Sequence, residues 1–138
     1  MIEIELPWPQ SVNHYKKVGR LVRTKTGKLY QKRVNTPETA QFYYEVYLRV
    51  KAGIATRRLK SYDSVTISLE VCLDMHPPHN RRYDADNYLK VLLDSLVKAK
   101  LIKDDSLITR LVVEKKSIIP LGKVVVRIQE IQPCTLMT

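Results

Sequence analysis

The sequence predicts an α+β fold: a two-layer sandwich in the order β-α-β-α-β-β, with helices on one face of a mixed sheet. Three observations predict it. Two stretches, residues 2 to 6 and 65 to 75, alternate apolar and polar residues with the period of a half-buried strand. Two others, 36 to 52 and 86 to 99, carry helical spacing or helix punctuation. The chain has 138 residues and 44% hydrophobic content, which suits one domain, 1–138, around a single core.

Ile2, Ile4 and Leu6 alternate with Glu3 and Glu5 in the first strand, and Pro7 and Pro9 end it. Residues 13 to 34 are basic, with Gly19 and Gly27 as breakers, and read as an exposed loop or ragged hairpin. Thr36 then offers a capping hydroxyl, Pro37 a first helical residue and Glu38 an acid at the positive end of the dipole. That helix is expected to run to Ala52, with Gly53 as its stop. From Val65 to Met75 every second residue is apolar, and Pro77 and Pro78 end the strand. Leu89, Leu92, Leu93, Leu96 and Val97 share one side of a second helix, Asp86 to Ala99. Strands at 107 to 118 and 123 to 131 close the chain, with a turn at Pro120-Leu121-Gly122. A sheet covered on one face only makes dimerisation a natural way to bury the other.

The charge pattern speaks to partners. The formal net charge is +10 and the pI about 9.7, and residues 7 to 37 hold eight Lys or Arg and no acid. Lys16, Lys17, Arg20, Arg23, Lys25, Lys28, Lys32 and Arg33 are interleaved with Tyr15 and Tyr30; Arg57, Arg58 and Lys60 form a second group, and Arg81 and Arg82 a third. Such runs suit phosphates, with little sequence selectivity and a steep salt dependence. A membrane partner is not expected, because no segment is apolar for about eighteen residues. The start, MIEIELPWPQ, does not read as a signal peptide, so a cytoplasmic protein is expected, with Cys72 and Cys134 as reduced, incidental thiols.

Five of the fourteen acids fall in one window: Asp84, Asp86, Asp94, Asp104 and Asp105. Asp84 and Asp86 flank one residue where a strand's end meets a helix's start. Their mutual repulsion is relieved by a divalent cation, and Mg²⁺ suits them as a hard ion that keeps waters for substrate. The plain alternative is that they cap the helix. Lys90, four residues after Asp86, is either a surface ion-pair partner of Asp86 or a phosphate contact. Asp94 reads as a solvated acid, with a further metal ligand as the alternative. Asp104 and Asp105 either cap a turn or complete the metal site. A fourteen-residue helix is roughly 21 Å long, so Asp105 reaches the others only if the chain doubles back, the helix is shorter, or another subunit supplies it. His76-Pro77-Pro78-His79 is a poor zinc site, because the prolines forbid a helical pair. His14 reads as a solvent or phosphate contact. Tyr83 either stacks on an unpaired base or packs in the core.

The run from Arg81 to Lys90, then Leu93-Asp94 and Asp104-Asp105-Ser106, resembles the RusA family of Holliday junction resolvases. Leu6-Pro7-Trp8-Pro9 followed by Asn13 is similar to that family's opening strand and loop, and the resemblance spans roughly residues 4 to 130. It implies a homodimeric endonuclease that needs Mg²⁺ or Mn²⁺ and resolves four-way junctions by paired symmetric nicks in recombination and repair. By position it implies Asp84, Asp86 and Asp105 as the essential metal-binding acids and Lys90 as the functional lysine. Tyr83 departs from the family, whose members often carry another basic residue there, and the first basic loop is longer than expected. The expected DNA contacts are Lys16, Lys17, Arg20, Arg23, Arg81, Arg82 and Tyr83. The alternatives are a less selective nuclease of branched DNA and a non-catalytic nucleic-acid-binding dimer.

Overall fold

The computed structural model describes residues 1–11, 13 and 16–131. Six strands and two helices follow one another as β1 (Ile2–Leu6), β2 (Lys16–Arg23), β3 (Leu29–Asn35), α1 (Pro37–Ala55), β4 (Leu69–His76), α2 (Asp86–Lys98), β5 (Ile108–Lys115) and β6 (Lys123–Glu130), with a 3-10 turn at Asp105–Leu107 before β5. Four strands make a sheet in the order β1-β6-β4-β5. It is mixed: β4 and β5 run parallel, whereas β6 lies antiparallel to both β1 and β4. The fold is the predicted α+β sandwich.

One sheet face forms the core. Leu69, Val71, Leu73 and Met75 of β4 are completely buried, as are Val124, Val126 and Ile128 of β6. Phe42, Val46 and Val50 come down from α1, and Val91, Leu92 and Leu96 from α2. The other face is built from charge pairs: Arg127 donates to both oxygens of Asp74 at 2.8 and 3.3 Å, Arg110 meets Glu70 at 2.8 Å, and Gln129 donates to Glu70 at 2.7 Å.

The basic stretch is a hairpin, β2 with β3, made ragged by the register shift between Val18 and Leu21 and set outside the main sheet. Two expectations change. Gly53 does not stop α1, which runs to Ala55; a Cβ at Gly53 would lie 2.3 Å from Leu59 Cδ1, so the glycine serves close packing. The reversal falls on Arg57 at φ 62°, with the Thr56 hydroxyl donating to the Ala52 carbonyl. Strand β4 begins at Leu69 and not Val65, because the chain before it turns at Tyr62, which bridges to Ile102. In the sheet, β6 inserts between β1 and β4 and leaves β5 on the outer edge. The turn at Leu121 and Gly122, with φ 67° and 70°, turns the chain from β5 back toward β6. Cys134 and His14 lie outside the described residues.

Candidate active site

The segment 83–86 leaves β4 and enters α2. Its aspartates do not act as caps. The N-cap position is Ala85, itself in αR conformation, and no side chain caps the helix. Asp84 contributes only its backbone, accepting from the Asn87 amide through its carbonyl oxygen at 3.1 Å. Among the described residues, the exposed carboxylates of Asp84 and Asp86 meet no hydrogen-bond donor or ion-pair partner. A helix N-terminus with two uncommitted carboxylates beside it is favourably placed for hard cations or, once these are bound, for phosphate.

Other contacts fix the turn. Tyr83 packs edge-on against Trp8, with centroids 5.5 Å apart, and against Tyr88 at 5.9 Å; Trp8 also meets Tyr88 at 5.0 Å and His79 at 6.5 Å. The ammonium of Lys115, at the end of β5, donates to the Tyr83 carbonyl at 2.5 Å and stands 4.4 Å from the centre of the Tyr83 ring. Tyr83 is therefore a packed residue, and burial, with Tyr88 adding to it, pushes its phenol pKa up. Its hydroxyl and Nδ1 of His79 are buried without a hydrogen-bond partner among the described residues. His76, the other half of the weak zinc pattern, uses Nδ1 on the Ser117 carbonyl at 2.9 Å.

The two downstream acids play different parts. Asp104 caps the 3-10 turn, accepting from the Ser106 hydroxyl at 2.8 Å and its amide at 3.4 Å, and the Ser106 hydroxyl bond holds its carboxyl low. Asp105 is pushed the other way, first by burial and then by the hydrogen bond and charge of Asp104 and by the charge of Asp94, against the pull of Lys90. The chain does double back. Lys100 takes φ 62°, Leu101 returns its amide to the Leu96 carbonyl, and the turn at Asp105–Leu107 lies along α2. That brings Asp105 into the electrostatic range of Lys90 and Asp94. Lys90 pairs with Asp94 at 3.4 Å, and not with Asp86. Asp94 and Asp105 form an acidic strip beside Lys90. Among the described residues, no three of His, Cys, Asp and Glu in a single chain gather around one point.

Arg81 and Arg82 are exposed in the segment just before Asp84. Lys16, Lys17, Arg20 and Arg23 lie on β2, and the ribbon's second strand leads through Thr36 into α1. The start of α1 shares a cleft with Trp8, lined by Glu38, Gln41, Phe42 and Glu45. Trp8 thus borders both the start of α1 and the turn that carries Tyr83. Lys115 was not legible as a site residue. Its only signal was topological, since the parallel pairing of β5 with β4 carries it to the turn.

The fold is a mixed sheet backed by two helices, with paired acids at a helix start. The sequence pattern described as Endodeoxyribonuclease RusA matches residues 5–129. The chain belongs to the RusA endodeoxyribonuclease family, which acts on branched DNA junctions. No curated protein matches the chain. No helix among the described residues is long and apolar enough to cross a membrane.

Proposed function

We propose that this chain is a structure-specific endonuclease that resolves four-way DNA junctions by paired symmetric nicks, working as a homodimer with Mg²⁺, for which Mn²⁺ substitutes. The observation that carries the reading is the uncapped turn: Ala85 holds the N-cap position, leaving the Asp84 and Asp86 carboxylates exposed and uncommitted. The donor set fits the ion, because Mg²⁺ takes one or two carboxylates and completes its shell with water and substrate phosphate. Asp84 and Asp86 would hold it, with Asp105 joining from the strip along α2 or from the second subunit. Bound there, the ion supplies a water of lowered pKa and offsets charge on the phosphoryl oxygens.

The chain's own groups do the rest. Lys90 neutralises charge accumulating at the leaving oxygen. Arg81 and Arg82 hold the flanking phosphates, and Lys16, Lys17, Arg20 and Arg23 hold the duplex arm. The Tyr83 ring supports this surface by packing against Trp8. The products are a 3′-hydroxyl and a 5′-phosphate, which a ligase can seal. Two sites in a two-fold dimer match the two-fold symmetry of a four-way junction. This places the protein in recombination and repair, in the cytoplasm of a bacterial or phage-infected cell.

The test is incubation of the protein with a synthetic four-way junction, with and without Mg²⁺, mapping nicks on all four strands. Symmetric nicks on opposed strands that require the metal support the reading. Equal cutting of splayed arms and three-way junctions would point to a general branch nuclease. Binding without nicking at any metal concentration would overturn catalysis.

A further inference from the structure

The ribbon β2–β3 has one face that neither charge nor the core explains. On β3, Leu29, Gln31 and Arg33 share a face by alternation, and their cross-strand partners are Arg23, Leu21 and Val18. The register shift between Val18 and Leu21 is what puts these two, three residues apart, on the same side. At the shift, Gly19 lets the strands close, since a Cβ there would lie 2.9 Å from the Lys32 carbonyl oxygen. The result is an apolar stripe in the open: Val18 is 59% exposed, Leu21 64% and Leu29 54%. An isolated two-stranded ribbon is marginal in water, and leaving apolar side chains outside adds to that cost.

We infer that this stripe docks on the branch of the DNA, against base pairs whose faces are bared where the arms part, while the cations around it grip the phosphates. The inference rests on the junction reading above and assigns the ribbon a selective role within it. Charge complementarity names the occupant: the ribbon carries cations on both strands and no acid from residue 7 to 37. A second copy of the same ribbon would bring like charges together. Three aliphatic side chains also fall well short of the about 800 Å² per partner that a stable protein interface buries. A two-stranded ribbon has the width that a DNA groove admits, and aliphatic wedges against unstacked base steps are a known use of such side chains. Position agrees, because the ribbon's root lies at the start of α1, beside the cleft shared with Trp8, whose ring packs on Tyr83 next to Asp84. An intact duplex offers the cations their phosphates but offers the stripe no bared base face. The cations therefore act on all DNA and the stripe on branched DNA.

The test compares the full-length protein with Val18→Ser/Leu21→Ser/Leu29→Ser and, separately, with Arg23→Gln/Arg33→Gln, measuring affinity for a four-way junction and for linear duplex across a salt series in Ca²⁺. The stripe variant is expected to lose about tenfold on the junction, while its duplex affinity and salt slope stay the same. The charge variant is expected to weaken on both, its log–log salt slope falling by about 0.9 for each phosphate contact removed. Circular dichroism and sedimentation equilibrium accompany each variant. A stripe variant that keeps its preference for the junction overturns the inference, and so does one whose mass falls to half, which would make the stripe a protein interface. A stripe variant that has lost its fold is replaced by the single change Leu21→Ser, held to the same outcomes. If the wild-type protein itself binds junction and duplex alike, it is the junction reading that fails.

Discussion

The Lys115 ammonium donates to the carbonyl oxygen of Tyr83 at 2.5 Å while standing over that residue's ring, 4.4 Å from its centre. The two residues are 32 apart in sequence, and the contact ties the end of β5 to the turn that carries Asp84 and Asp86. Without a side-chain cap on α2, this bond and the Trp8 packing brace the turn beside its backbone bonds. Lys115→Met is expected to weaken divalent-cation affinity by about tenfold, with Lys115→Arg restoring part of it. Calorimetric titration with Mn²⁺ measures this without any turnover. Equal affinity in Lys115→Met and the parent would show that the turn is held by other contacts.

Asp84→Asn and Asp86→Asn separate capping from catalysis. Because neither carboxylate accepts a capping bond, each substitution is expected to change stability by no more than about 0.5 kcal/mol. Cleavage should be lost, and junction binding kept or strengthened, since a negative charge is removed beside phosphate. Urea unfolding and gel-shift assays read the two effects apart. A large loss of stability with cleavage retained would return these residues to a structural role.

The strands with strict alternation and the Thr36-Pro37-Glu38 helix start were legible because each depends on neighbours in sequence. The acidic cluster was legible for the same reason, although the choice between capping and ligation was not. That choice depends on the backbone of Ala85, which took the N-cap position itself. Nor was the partner of Lys90 legible: helical spacing allows both Asp86 and Asp94, four residues either side, and the structure selects Asp94. The insertion of β6 beside β4, and with it the place of Lys115, came from pairings between distant segments. Gly53 misled for a different reason. A glycine after an amphipathic run reads as a stop, whereas here the constraint is the Leu59 side chain.

Gly53→Ala tests that last point. In an open helix the substitution stabilises by about 1 kcal/mol. Here the added Cβ would sit 2.3 Å from Leu59 Cδ1 and 2.5 Å from its Cγ, so more than the tip of the leucine must move. Leu59 is itself buried in the core. The expected outcome is destabilisation by about 1–3 kcal/mol, typical of overpacking, measured as a lower urea midpoint. A gain in stability would mean that Leu59 yields freely.

The polar face of the sheet sets the response to acid. The Arg127 guanidinium, through its hydrogen bonds and then its charge, holds the Asp74 carboxyl below the usual carboxylate range, although partial burial opposes it. The folded state therefore binds this proton less readily than the unfolded chain, whose Asp titrates near about 3.9. Asp74 contributes its stability in full above that value, and the contribution is lost as pH falls through the lower native value. Asp74→Asn is expected to cost about 2 kcal/mol at neutral pH. The gap between parent and variant should then narrow as pH falls from about 4 toward the native pKa. Thermal melts across pH 2–7 measure it as a difference in midpoint. A gap that stays constant across the range would mean that the Arg127 bond makes no difference to the proton affinity of Asp74.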